Sequence, residues 1–261
     1  MIEIISYPIT PYLSPGSRLQ PDNRNNNTNW LRIAINMMMN RHKADLIKAG
    51  VNIDLFHNHD TARGQNKIDY PRIQYQRRGK RYFVLGINDD GKFALEKLFE
   101  YYRQIAYIDD MLALTIGHPV TETFIPRLTA EPFTYNLIDW LPFSDDSEKE
   151  FNTLPSLAGK MLYLEKRLRS HITGDFCRYL IPDVDTTAVE LAITDIDSLY
   201  RADVLVEENK YTLPYKPFTA VININFPLPA NICLGNKKVY GFGLLEQTSN
   251  PLTHQLTITQ L

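Results

Sequence analysis

The apolar positions of the chain change period several times, and the changes mark out its elements. Ile2, Ile4 and Tyr7 to Ile9 read as a strand. After a turn-rich segment from Pro15 to Asn29, the residues Trp30, Leu31, Ala34, Met37, Met38 and Leu46 recur at helical spacing as far as Gly50. Val51, Ile53 and Leu55 then alternate with polar residues, which predicts a half-buried strand running into Phe56-His57-Asn58-His59. Tyr70 to Gln76 and Arg81 to Ile87 predict two further strands, joined by a hairpin-like turn at Arg77-Arg78-Gly79-Lys80. From Lys92 the helical period returns through Leu95, Leu98, Phe99, Tyr102, Ile105 and Ala106, and Met111 to Ile116 predicts a strand. The order around the basic hairpin is strand, helix, strand, strand, helix, strand. That is the ferredoxin-like βαββαβ plan, an α+β fold whose sheet also serves RNA-recognition modules.

The second half repeats the theme imperfectly. Glu131 to Phe143 is strand-like, Leu154 to Arg178 is a long helical pattern, and Thr187 to Ile196 returns to β character. Phe218 to Phe226 alternates cleanly, and Val239 to Glu246 reads as its neighbour in a closing sheet. With a boundary between residues 118 and 130, the prediction is two tandem ferredoxin-like domains, 1–125 and a degenerate second copy at 126–261.

Composition narrows the function. At 261 residues, with 44% hydrophobic and 22% charged, the chain reads as an ordinary soluble globular protein. The longest stretch without a charge, Thr219 to Asn236, contains Asn223, Asn225, Pro227, Pro229 and Asn231, so it is not expected to span a membrane. The opening Met1-Ile2-Glu3 lacks the basic start of a secretory signal, and Cys177 and Cys233 form no CxxC pair or ligand cluster, so a reducing cytoplasm is the default. Lys and Arg total 28 against 30 Asp and Glu, a balance that argues against coating nucleic acid by bulk charge. Locally the picture differs. Residues 63–81 hold Arg63, Lys67, Arg72, Arg77, Arg78, Lys80 and Arg81 against Asp69 alone, 7 − 1 = +6, with Tyr70, Tyr75, Tyr82 and Phe83 interleaved, a mixture suited to phosphate pairing beside base stacking. Residues 183–209 carry eight acids against Arg201 and read as a solvated face.

His57 and His59 are the leading chemical candidates. Positions i and i+2 on a strand point to one side with Cα atoms roughly 6.5–7 Å apart, so two imidazoles there could flank one phosphate. Histidine titrates near neutral pH, so one ring can act as base while the other acts as acid, which is what metal-free RNA self-cleavage requires. A metal site on His57-Asn58-His59-Asp60 is the lesser reading, because no further ligand set or cofactor motif accompanies it. His42 closes the first helix beside Arg41 and Lys43 and stands in reserve. His118, His171 and His254 read as structural, His171 on a solvated helix face with Lys166, Arg167 and Arg169. Near the C-terminus, Gly235 to Gly243 has the form G-x5-G-F-G with Lys237 and Lys238 in its turn. It is neither a P-loop nor a dinucleotide fingerprint.

Taken together, Phe56-His57-Asn58-His59, Tyr70-Pro71-Arg72-Ile73-Gln74-Tyr75, Phe83-Val84-Leu85-Gly86-Ile87 and the Gly235 to Gly243 loop resemble the CRISPR repeat-processing endoribonucleases, Cas six of the b type. The resemblance implies tandem ferredoxin-like domains and metal-independent cutting of CRISPR repeat RNA, leaving a 5′-hydroxyl and a cyclic or 3′ phosphate. It carries catalysis onto His57 and His59, with His42 in reserve because other relatives place the key histidine after the first helix. It carries RNA contacts onto Gly235, Lys237, Lys238, Gly241 and Gly243, beside the phosphate contacts expected of Lys67, Arg72, Arg77, Arg78, Lys80 and Arg81. Some members of the wider superfamily have lost catalysis, so the alternative is an inactive RNA-binding subunit of a CRISPR complex. Repeat RNA is the implied partner, and a homodimer or an effector complex is left open.

Overall fold

The structure, a computed structural model, describes residues 1–14, 17, 28–60, 65–66, 69–102, 104–197, 204–208 and 211–249. Of these, residues 59–60, 65–66, 145, 204–208, 211–214 and 249 are described by backbone alone. The chain divides into two units, Met1–Phe124 with Val239–Gly241, and Ile125–Lys238 with Phe242–Leu261. Among the described residues, no helix is long and apolar enough to cross a membrane.

The first unit opens with a long strand, β1 (Ile2–Leu13), followed by α1 (Asn29–Arg41) and the short α2 (Lys43–Lys48). His42 separates the two helices. Gly50 ends α2 at φ +87, with its N–H on Ile47 O and the Val51 N–H on Leu46 O, the double return bond of a glycine-terminated helix. A 3-10 turn (Ile53–Phe56) comes next, then a small pair, β2 (His59–Asp60) and β3 (Gln65–Asn66). The basic hairpin is β4 (Ile73–Arg78) and β5 (Arg81–Ile87). It is followed by α3 (Asn88–Glu100), β6 (Ile105–Tyr107), β7 (Leu112–Ile116) and β8 (Val120–Phe124).

The sheet order is β4-β5-β1-β7-β6, and every neighbouring pair along it is antiparallel. With β1, β4, β5 and β7 as its four principal strands, this is the ferredoxin-like order. Pleat alternation sends Ile5, Tyr7 and Ile9 of β1 into one core with Leu31, Ala34, Ile35 and Met38 of α1 and Leu95 and Leu98 of α3, so both helices cover one sheet face.

The expected strand at Val51–Leu55 is instead the 3-10 turn. Asn52 caps it by accepting a hydrogen bond from Asp54 N at 3.1 Å, and Leu55 and Phe56 supply its buried side. Five residues of alternating polarity satisfy either a strand or a tight turn, and the cap decides.

The second unit contains β9 (Phe133–Trp140), α4 (Asp145–Thr153), α5 (Leu157–Arg169), a π-helical continuation (Ser170–Cys177), α6 (Arg178–Leu180) and β10 (Leu191–Ile196). The hairpin β11 (Val204–Glu208) and β12 (Tyr211–Tyr215) stands as its own two-stranded sheet, and β13 (Phe218–Ile224) and β14 (Leu244–Ser249) complete the unit. Sheet order β10-β13-β9-β14 repeats the arrangement of the first unit. The second crossover helix is missing. In its place Asn225 to Gly243 runs irregularly apart from a 3-10 turn (Lys238–Tyr240), past Pro227 and Pro229, and anchors itself with buried Phe226, Leu228, Ile232 and Leu234. The protein is thus α+β with tandem ferredoxin-like units, the second one degenerate. The described acids of the negative stretch, Asp183, Asp185, Glu190, Asp195 and Asp197, are exposed as a solvated face requires.

Candidate functional site

The histidine pair does not have the strand geometry the sequence predicts. His57 is half-buried and closes the 3-10 turn, with right-handed helical backbone and its N–H donating to Asp54 O at 3.3 Å. Asn58 follows in the left-handed region at φ +50, a conformation asparagine tolerates better than most side chains. Only His59 lies on a strand, its Cα opposite Asn66 in the β2–β3 pair. The same-side rule for residues i and i+2 therefore does not apply across this pair. The turn beneath is held from the core: Phe56 is fully buried, and the Tyr75 hydroxyl donates to Phe56 O at 3.1 Å. Burial raises the Tyr75 pKa, so it stays a neutral donor.

His42, the reserve candidate, sits at the break between α1 and α2. Its ring stacks on Tyr101 at 4.2 Å between centroids and meets Tyr102 edge-on at 5.3 Å. The neighbouring Arg41 guanidinium donates to Tyr107 O and Ile108 O, tying the end of α1 to β6. The 3-10 turn packs against α1, α2 and α3, so all three histidines belong to one corner of the first unit.

The basic hairpin is less uniform than its letters. Arg78 is committed to the fold: its guanidinium lies over the Phe83 ring at 4.2 Å and donates to Gln76 Oε1 at 3.2 and 3.0 Å. Gln76 in turn donates to Gln74 Oε1 at 3.2 Å, and both glutamines are fully buried. Their i, i+2 spacing along β4 puts this polar ladder on the face opposite Ile73 and Tyr75. Arg77 is half-buried and reaches Gly79 O at 2.8 Å, Arg72 is half-buried, and Lys80 and Arg81 are exposed at the tip. Lys67 lies outside the described residues.

The glycine-rich loop is built by the second unit's own scaffold. Cys233 bridges Leu244, and Leu234 N donates to Gly243 O at 2.8 Å, so the legs of the loop are paired. Gly235 has φ +90, and a Cβ there would stand 2.7 Å from the Trp140 indole; Gly243 has φ +74, and a Cβ there would stand 1.8 Å from Leu234 O. Gly241 also has positive φ, at +88. Asn236 fixes the loop to the chain after β9, through its N–H on Leu141 O at 2.9 Å and Nδ2 on Phe143 O at 2.7 Å. Lys237, at φ +55, holds its ammonium 5.4 Å from the Tyr215 ring centroid, whereas Lys238 is ion-paired with Asp175.

His171 corrects a second expectation. It lies on the π-helical segment but not on a solvated face: it is 7% exposed, and its Nδ1 accepts from Trp140 Nε1 at 3.2 Å. Burial, with Lys238 and Arg167 adding their positive charge, lowers its pKa to about 3. The folded protein therefore prefers neutral His171, while the unfolded chain binds a proton near pH 6.5. Stability from this group is fully present above that pH and is lost as pH falls toward 3. Between pH 7 and 5, wild type is expected to lose about 2 kcal/mol more than His171→Gln, which keeps an acceptor for Trp140 but does not titrate. Urea titrations at the two pH values measure this, and equal losses would clear His171 of the effect. His118 is exposed, and His254 lies outside the described residues.

Sequence comparison places residues 39–123 in the family model of the Cas6b N-terminal domain, a span that contains His42, His57 and His59. No curated protein matches the sequence. Among solved structures, the fold resembles a crystal structure of Cas6b at TM-score 0.63 and 16% identity, over 94% of this chain and 100% of the other. It also resembles Csf5, a type IV Cas6 crRNA endonuclease, at TM-score 0.59 and 11% identity, over 95% of this chain and 100% of that one. A second Cas6b, described as a CRISPR RNA processing endoribonuclease, aligns at TM-score 0.55 and 14% identity over 94% of this chain and 100% of its own. At such identities the structural likeness is one of fold. The chain thus carries a Cas6b N-terminal domain match within a fold of the Cas6 kind.

Proposed function

We propose that this chain binds CRISPR repeat RNA and cuts precursor transcripts without a metal ion, leaving guide-sized products. The observation that carries the reading is that the matched Cas6b segment, residues 39–123, encloses the histidine corner of the first unit. The glycine-rich loop in place of the second unit's crossover helix supports it, as do the exposed cations Lys80 and Arg81 at the hairpin tip.

His57 and His59 are the acid/base pair of this proposal. One imidazole takes the proton of a ribose 2′-hydroxyl, and the freed oxygen attacks the adjacent phosphorus. The phosphorus–O5′ bond breaks, and the second imidazole, as imidazolium, protonates the departing 5′-oxygen. The products are a 2′,3′-cyclic phosphate and a 5′-hydroxyl, and the proton count balances across the two rings. The turn that carries His57 is fixed by the buried Phe56 and by the Tyr75 hydroxyl, which limits how far the ring can drift from a bound phosphate. Lys67 and Arg72 are assigned to the negative charge that builds on the phosphate.

Cleavage of the host's own CRISPR repeat RNA is expected to proceed at an undiminished rate in EDTA. Cutting only after a divalent cation is restored would overturn the metal-free mechanism, and binding without any cut would assign the chain to the RNA-binding subunits.

A further inference from the structure

We propose that the Asp175–Lys238 ion pair is a clamp that holds the glycine-rich loop in its RNA-binding shape, so that Lys238 is a positioning residue and not a phosphate ligand. The inference deepens the reading of the chain as a repeat-RNA-binding protein and rests on it.

Lys238 lies near the middle of the Gly235 to Gly243 loop and reaches in two directions at once. Its ammonium pairs with the Asp175 carboxylate on the π-helical segment and also donates to Gly235 O at 3.3 Å, three residues back at the loop's first glycine. The first contact ties the loop to the helix, and the second tightens the loop's first turn. Both partners are largely buried, Lys238 15% exposed and Asp175 21%. A charge pair so placed holds strongly only when both members are present, because removing one leaves the other buried and uncompensated. One helical turn before Asp175, at the same side of the segment, His171 accepts from Trp140, and the Trp140 indole is the surface against which Gly235 is packed. The segment therefore grips the first half of the loop at two points, through the indole under Gly235 and through the carboxylate on Lys238.

The arrangement also decides which charge serves RNA. A lysine neutralised by a neighbouring carboxylate releases few counterions when phosphate approaches, so it adds little to affinity or to its salt dependence. Lys237, the residue before it, stands on left-handed backbone with its ammonium over the Tyr215 ring.

The two roles for Lys238 predict opposite signs for one substitution. As a clamp, Asp175→Asn loosens the loop and weakens binding of fluorescein-labelled repeat RNA from the host array by about tenfold, read by anisotropy at fixed salt. Were Lys238 a phosphate ligand, removing the competing carboxylate would tighten binding, and that result overturns the proposal. The charge swap Asp175→Lys with Lys238→Asp rebuilds the pair and is expected to restore binding to within about threefold of wild type. An aspartate at a phosphate contact would instead repel RNA, so a swap that binds no better than Asp175→Asn overturns the clamp; the swap carries the test alone where Asp175→Asn does not fold. Amide hydrogen exchange over residues 235–243 in the absence of RNA separates this inference from the functional reading. Faster exchange in Asp175→Asn supports the clamp even if wild type binds no repeat RNA, which would sink the function alone, and unchanged exchange removes the clamp whatever the RNA result.

Discussion

Alanine at His57 or at His59 is expected to slow single-turnover cleavage of repeat RNA by about 10²–10⁴, the usual contribution of a general acid or base, while RNA affinity stays near wild type. The backbone favours a clean experiment. His57 closes the 3-10 turn through its N–H on Asp54 O, a backbone bond that alanine keeps while removing the imidazole. The turn's other supports, the Asn52 cap and the Tyr75 bond to Phe56 O, lie on other residues. His42→Ala is the informative companion. His42 is stacked on Tyr101 at the helix break, so its loss is expected to affect packing first. If the double variant His57→Ala, His59→Ala cuts at the wild-type rate while His42→Ala alone is inactive, the chemistry moves from the 3-10 turn to the end of α1.

The second large effect is on stability. Gly243→Ala is expected to destabilise the protein by roughly 3 kcal/mol, a fall in thermal midpoint of about 6–12 °C for a chain of this size. Positive φ alone does not make the effect this large. Gly50 has φ +87 with nothing within 4 Å of an added Cβ, so Gly50→Ala meets the strain of left-handed alanine alone, about 1–2 kcal/mol. At Gly243 the added carbon would also meet Leu234 O at 1.8 Å, and that oxygen belongs to a backbone whose N–H bonds Gly243 O. Neither leg can retreat without breaking the Cys233–Leu244 bridge or the Gly243 N–H bond to Asp139 O at 3.0 Å. Differential scanning of both variants checks the argument; equal midpoints would mean that backbone conformation, and not close approach, requires glycine at 243.

Much of the sheet framework is legible in the sequence because its signals are local. Alternation marks β13, apolar β-formers mark β1, and Gly79-Lys80 between two β-rich runs marks the β4–β5 hairpin. Elements with weak local contrast are missed. The helix α4 buries only Ser147 and Phe151 among its described side chains, too little to give a helical stripe, and β11 lies within a stretch dominated by acids. The histidine motif is visible as letters, but its geometry turns on an asparagine cap that five residues of alternation do not reveal. The partners of the glycine loop are harder still. Trp140 and His171 are 31 residues apart, and Asp175 and Lys238 are 63 apart, so their pairing is a property of the folded unit with no local pattern. An acid four residues after a histidine on a helical run is the only hint, and many solvated helices carry the same spacing.

The strand that opens each unit is paired on both edges. β1 pairs with β5 across Ile4–Ile9, with β7 across Ile9–Leu13 and with β8 across Ile2–Ser6. β9 likewise holds β13 on one edge and β14 on the other. On the ribosome, the first strand of each unit thus emerges long before the strands that flank it, and neither sheet can close until its last member leaves the exit tunnel. Closure of the second sheet waits for Leu244–Ser249, so most of that unit must be synthesised with both edges of β9 open. A chain cut short before Leu244 therefore leaves an unsealed β-edge on β9.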